Sequence, residues 1–132
     1  MFSLNELKRI SEKQNVIFYK PFCPFCKAAE DLMKKLKEIG IINEYKVYIL
    51  DKDFDNETLK NLVLEYKWKP ERHQEYPTKP QIFMNISGKA EYIGGNKEFY
   101  NSKWNLGENN SKQIKIKNLS YNTPNLKNPM RF

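Results

Sequence analysis

FYKPFCPFCKAAE, residues 18–30, holds both cysteines of the chain, three positions apart and directly ahead of a helix-forming run. Its first residues close a short apolar segment, Val16-Ile17-Phe18-Tyr19, which is β-rich and lacks polar alternation. Such a run reads as a strand buried on both faces, and here it ends at Lys20-Pro21. From Cys26 to Ile39, the residues Ala29, Leu32, Met33, Leu36 and Ile39 recur at helical spacing opposite lysines and acids, and Gly40 supplies a stop. A strand therefore feeds a helix through Cys-Pro-Phe-Cys. The pair itself is open to three readings: a redox centre, half of a metal site, or a structural staple.

Outward from this unit the pattern continues. Upstream, Ser3 with Glu6 fits a capping box, and Leu4, Leu7 and Ile10 predict a short helix to about Lys13. Downstream, Tyr45 to Leu50 reads as a second strand and Asn56 to Tyr66 as a helix with Leu59, Leu62 and Val63 inward. A proline-rich polar loop, residues 67–80, leads to a hairpin in which Gln81 to Ile86 and Glu91-Tyr92-Ile93 flank the turn Ser87-Gly88-Lys89. Gly94-Gly95 ends the hairpin, and Asn96 is placed to cap a last helix through Trp104. A strand, helix, strand unit gives parallel strands through a right-handed crossover, whereas a hairpin adds an antiparallel pair. The expected fold class is α/β, a mixed four-stranded sheet flanked by helices.

At 132 residues the chain suits one core, taken as residues 1–106. Residues 107–132 read as a basic, Asn- and Lys-rich tail: no acid follows Glu108, while Lys112, Lys115, Lys117, Lys127 and Arg131 do. The net charge of +7 therefore belongs mainly to the tail. Aromatic interleaving there is thin (Tyr121 and Phe132), which argues for a solvated extension over a nucleic-acid contact. No apolar run is long enough for a membrane span, and the start MFSLNELKRISEKQ is polar and charged. These features lead us to expect a cytoplasmic protein, and a monomer is the default for the expected fold. In a reducing compartment a standing disulfide is disfavoured, which sets the staple reading aside.

Metal binding fares little better, because a structural zinc needs four ligands and the chain offers these two cysteines and His73. The redox reading has local physics behind it. With Cys23 at the N-cap, Pro24 falls at the first helical position, where its missing N–H costs nothing. The amides of Phe25 and Cys26 then face the Cys23 sulfur and, with the helix dipole and Lys20 nearby, favour a thiolate. Thiol–disulfide exchange needs such a sulfur. Cys23 is the expected nucleophile, and Cys26, one turn in and closer to the core, the expected resolving thiol.

Three separated stretches resemble the glutaredoxin family, small proteins with a thioredoxin-like fold, over roughly residues 14–105. They are Lys20-Pro21-Phe22-Cys23-Pro24-Phe25-Cys26, with Phe for the family's usual Tyr; Thr78-Lys79-Pro80-Gln81-Ile82-Phe83; and Tyr92-Ile93-Gly94-Gly95. The resemblance implies glutathione as cosubstrate. By this likeness Pro80 would be a cis-proline facing the active sulfur, and the Lys79 backbone would pair with glutathione's cysteinyl part. Lys20 would meet the glycine carboxylate and Phe25 would wall the cleft. Gly94, Gly95 and Asn96 would receive the γ-glutamyl end. Further departures from the family pattern are Lys79, whose side chain would add a cation at the cleft rim, and Asn96-Lys97, which stand where the family often has Cys or Ser followed by an acid that answers the γ-glutamyl amine.

The function these readings support is a glutathione-dependent thiol–disulfide oxidoreductase, reducing protein–glutathione mixed disulfides and protein disulfides. Its expected partners are glutathione and disulfide or glutathionylated client proteins, with ribonucleotide reductase a client by family analogy. The alternatives are a thioredoxin-like reductant recharged by a flavoprotein reductase and a glutathione-ligated iron–sulfur carrier, which Pro24 disfavours.

Overall fold

A computed structural model of the protein describes residues 1–105. Its elements are α1 (Leu4–Lys13), β1 (Val16–Tyr19), α2 (Pro24–Glu38), β2 (Lys46–Ile49), α3 (Asn56–Leu64), β3 (Gln81–Ile86), β4 (Lys89–Gly94) and α4 (Asn96–Tyr100). The capping box at α1 is present: Ser3 Oγ accepts from the Glu6 amide at 3.2 Å, and Glu6 answers the Ser3 amide at 2.8 Å.

The sheet runs β2-β1-β3-β4, with β1 and β2 parallel and β3 antiparallel to both β1 and β4. Alternation along the strands divides the core. Val16, Phe18 and Phe83 face Leu7 of α1, Leu59, Leu62 and Val63 of α3, and Phe54. There the ring of Phe18 meets Phe54 edge-on at 5.2 Å and Phe83 at 6.1 Å. Ile17, Ile82 and Met84 turn to the other face of the sheet, where α2 lies against β1 with Ala29, Leu32, Met33 and Leu36 inward. β1 is thus buried on both faces, as its unbroken apolar run predicts.

The β3–β4 ladder shifts register between Ile82, opposite Gly94, and Phe83, opposite Tyr92, so Ile93 is the extra residue of a bulge. Gly94 has φ +106°, a backbone that L side chains rarely adopt. This bulge turns the end of β4 into the loop that starts α4.

Two compact units divide the chain, Met1–Phe99 and Tyr100–Phe132. In the second, residues 101–104 form turns rather than the expected continuation of α4. Side chains compete with the helical ladder there: Ser102 Oγ accepts from the Trp104 amide at 3.1 Å, and Asn105 Nδ2 donates to the Tyr100 carbonyl at 2.8 Å. The basic tail expected over residues 107–132 lies outside the described residues. Among the described residues no helix is long and apolar enough to cross a membrane.

Candidate active site

Cys23 caps α2 and Pro24 takes its first position. Of the two amides expected at the sulfur, the one bonded to it is that of Cys26, at 3.2 Å. The helix dipole adds its positive end at the same atom, where negative charge sits whenever this sulfur leaves a disulfide. Both thiols are free. They differ in access: Cys23 is 8 % exposed, at the surface edge, while Cys26 is wholly enclosed. Burial first, and the neighbouring Cys23 second, push the Cys26 thiol up to about 12; the Lys20 backbone and charge offset part of this.

Across from Cys23 stands the Thr78-Lys79-Pro80 turn. The Lys79–Pro80 bond is cis, and the Cys23 thiol points at the Lys79 carbonyl at 3.7 Å. Gln81, buried at the head of β3, braces this turn: its Nε2 donates to the Thr78 carbonyl at 2.8 Å, and its Oε1 accepts from the Tyr92 hydroxyl. Burial pushes the Tyr92 phenol up, so it remains a donor.

A cleft of about 340 Å³ opens beside the turn, lined by Phe25, Thr78, Lys79, Pro80, Gly95, Asn96, Lys97 and Glu98. Five residues singled out in the sequence, Phe25, Lys79, Pro80, Gly95 and Asn96, thus meet around one space. Gly94 belongs to an adjoining depression with Lys69, Gln81 and Tyr92. Lys20 lines neither, but it is exposed on the β1–α2 loop, close enough that its charge is felt by Cys26 and Lys79.

Three details differ from the sequence expectation. The Lys79 ammonium does not stand free at the cleft rim: it donates to the Pro77 carbonyl at 3.0 Å and to Asn56 Oδ1 at the start of α3. Burial first, then Lys20, pull its pKa down. Asn96 is the first residue of α4 rather than its cap, because the Gly95 carbonyl accepts from the Phe99 amide at 3.0 Å. Glu98, which sequence reasoning passed over, receives the Gly95 amide on Oε1 at 2.8 Å. Its signal was legible: an acid three residues after a helix start is half of a capping box. The Asn96 Oδ1 atom is buried with no hydrogen-bond partner among the described residues, while the residue itself lines the cleft.

The comparisons with known proteins agree with this geometry. The glutaredoxin family model matches residues 15–89. A glutaredoxin of Vernicia fordii is 34% identical over 86 residues, spanning 65% of this chain and 67% of that protein. Glutaredoxin-2 of Schizosaccharomyces pombe is 35% identical over 91 residues, 69% and 68% of the two chains. The crystal structure of oxidized glutaredoxin 2 from Chlamydomonas reinhardtii shares the fold at TM-score 0.51 and 19% identity, covering 89% of this chain and 94% of that one. The chain belongs to the glutaredoxin family and is a thiol–disulfide oxidoreductase with a thioredoxin-like fold. The matched span contains the Cys-Pro-Phe-Cys and Thr-Lys-Pro stretches and ends before Gly94-Gly95.

Proposed function

We propose that the protein is a glutathione-dependent dithiol reductase in which Cys23 is the nucleophile and Cys26 the resolving thiol. The observation that carries this reading is the asymmetry of the pair: a helix N-cap cysteine that keeps 8 % exposure, its sulfur bonded by the amide of a second cysteine that is fully enclosed and keeps its proton. Cys23 as thiolate attacks the glutathione sulfur of a mixed disulfide. The client's S–S bond breaks, the client leaves as thiolate and takes a proton, and Cys23 carries glutathione. A second glutathione thiolate attacks that adduct, forming glutathione disulfide and restoring Cys23. With a protein disulfide, Cys23 attacks one sulfur and the other leaves as thiolate; Cys26 then gives up its proton and attacks Cys23, releasing the client reduced by two electrons and leaving Cys23–Cys26 oxidised, which two glutathiones reduce to give glutathione disulfide.

The cleft supports glutathione as the reductant. Its size suits a peptide arm, the Lys79 backbone borders it, and Asn96 and Gly95 line the end assigned to the γ-glutamyl group. Lys20, exposed beside the cysteines, suits the glycine carboxylate, with Phe25 as a wall and Gly94 and Gly95 as the close-approach backbone. The test is NADPH consumption with glutathione, glutathione reductase and a small mixed disulfide. Turnover should vanish in Cys23→Ser and persist in Cys26→Ser; equal tolerance of both substitutions overturns the assignment.

One observation favours a second reading. Lys97 is exposed on the cleft lining, where it repels the ammonium of glutathione. Rapid reduction by a flavoprotein thioredoxin reductase, with no turnover on glutathione, would identify a thioredoxin-like reductant instead.

A further inference from the structure

Phe22, immediately before the nucleophile, bears two costs that the fold does not return. It is 102% exposed, so its ring touches no other part of the described chain, and its φ of +58° lies in the left-handed region that disfavours bulky side chains. Glycine or asparagine would hold that turn with less strain. Phe25, on the other side of Cys23, is 65% exposed. Two aromatic faces therefore stand in water on either side of one reactive sulfur. An outlying backbone and an unburied ring at the same residue are motives for seeking a function there.

We propose that Phe22 is a specificity-determining residue for protein disulfides: it docks an apolar side chain next to the cysteine of an extended client segment, whereas small mixed disulfides bypass it. This rests on Cys23 being the nucleophile. The occupant follows from the chemistry, since a client sulfur must come into line with Cys23 Sγ, and the residue beside that sulfur then has to lie over the ring adjoining Cys23. A large aromatic that becomes buried only on docking contributes to affinity and leaves the free enzyme unaffected. Charge narrows the occupant further. Lys20 is exposed and forms no ion pair among the described residues, and the first turn of α2 holds no acid, so the preferred segment is neutral or acidic. Phe22 lines neither the cleft nor the adjoining depression, the spaces assigned above to the small cosubstrate.

The test is a single-turnover reaction of the reduced full chain, without glutathione, against two acidic disulfide peptides that differ only in Leu or Ser beside the cysteine. Bis(2-hydroxyethyl) disulfide serves as the small substrate. The wild type should favour the Leu peptide about tenfold, equivalent to about 1.4 kcal/mol. Phe22→Asn, which keeps the left-handed turn, should erase that preference and leave the small disulfide within about twofold. Phe22→Tyr should restore it. Persistence of the preference in Phe22→Asn overturns the proposal, as does equal slowing on all three substrates. Trapping with Cys26→Ser separates the two failures: a peptide adduct on Cys23 without Leu preference refutes docking alone, whereas an adduct elsewhere refutes the nucleophile assignment.

Discussion

Alkylation of Cys26 should be slowed by its burial, and the size of the effect can be worked out. An ordinary cysteine with a pKa near 8.5 is about one-quarter thiolate at pH 8, whereas a thiol held at about 12 is about 10⁻⁴ thiolate. That is a loss of about two thousandfold in the reactive form. A more basic thiolate is also a better nucleophile, and a Brønsted slope of about 0.45 over about 3.5 units returns about fortyfold. The net expectation is alkylation about fiftyfold slower than in the unfolded chain, before any steric exclusion from a wholly enclosed site. The assay is a time course with iodoacetamide at pH 8, native and in guanidinium chloride, with Cys23 and Cys26 adducts resolved by peptide mapping. Using Cys26 in the unfolded chain as the reference removes differences in local sequence. The native rate should keep climbing about tenfold per pH unit through pH 10, where the unfolded rate has levelled off. Native and unfolded rates within about threefold of each other would refute the claim that burial sets the proton on Cys26.

The same thiol makes stability depend on pH. The native state holds the Cys26 proton up to about 12 while the unfolded chain loses it at about 8.5, so stability is full below about pH 8 and falls above it, by at most about 1.4 kcal/mol per pH unit. Urea unfolding at pH 8 and 10 should show the fall, with a smaller slope in Cys26→Ala; Tyr48, whose phenol burial also pushes up, contributes to what remains. At the bulge, Gly94→Ala should cost about 1–2 kcal/mol, because φ +106° strains any side chain and the new methyl meets Glu98 Cγ at 3.2 Å. Gly95→Ala, which meets the movable Glu98 Oε1 at 3.2 Å, should cost less by the same unfolding assay. Lys97→Asp should lower the KM for glutathione about 1.5- to 5-fold, the range expected for exposed charge pairs, and an unchanged KM would remove Lys97 from the γ-glutamyl corner.

How much of this was legible in the sequence depends on whether the determinant is local. The Cys23 cap, the Pro24 start of α2 and the Ser3–Glu6 box are set within a few residues, and each stands where its pattern placed it. β1 was legible because a run buried on both faces leaves no other use for such apolar density, and β3 because the Ser87-Gly88-Lys89 turn marks its hairpin. The cleft was legible in composition: Phe25, Lys79, Pro80, Gly95 and Asn96 meet there, although 70 residues separate the first from Gly95. What the sequence could not show was decided by partners from other elements. Lys79 gives its ammonium to Asn56, which is 23 positions away and adjacent only once α3 is docked. α4 stops early because Ser102 and Asn105 bond backbone groups that a helix would need, and helix propensity does not reveal that competition. Phe22 sits at the limit of this rule. Its identity was plain in the opening motif, but an aromatic beside a cysteine in sequence reads as packing until a structure shows it in water with a left-handed backbone. The turn that exposes it is fixed by the β1–α2 connection. The fold thus sets the direction of the ring, and the chain's choice of residue at that position sets what the ring meets.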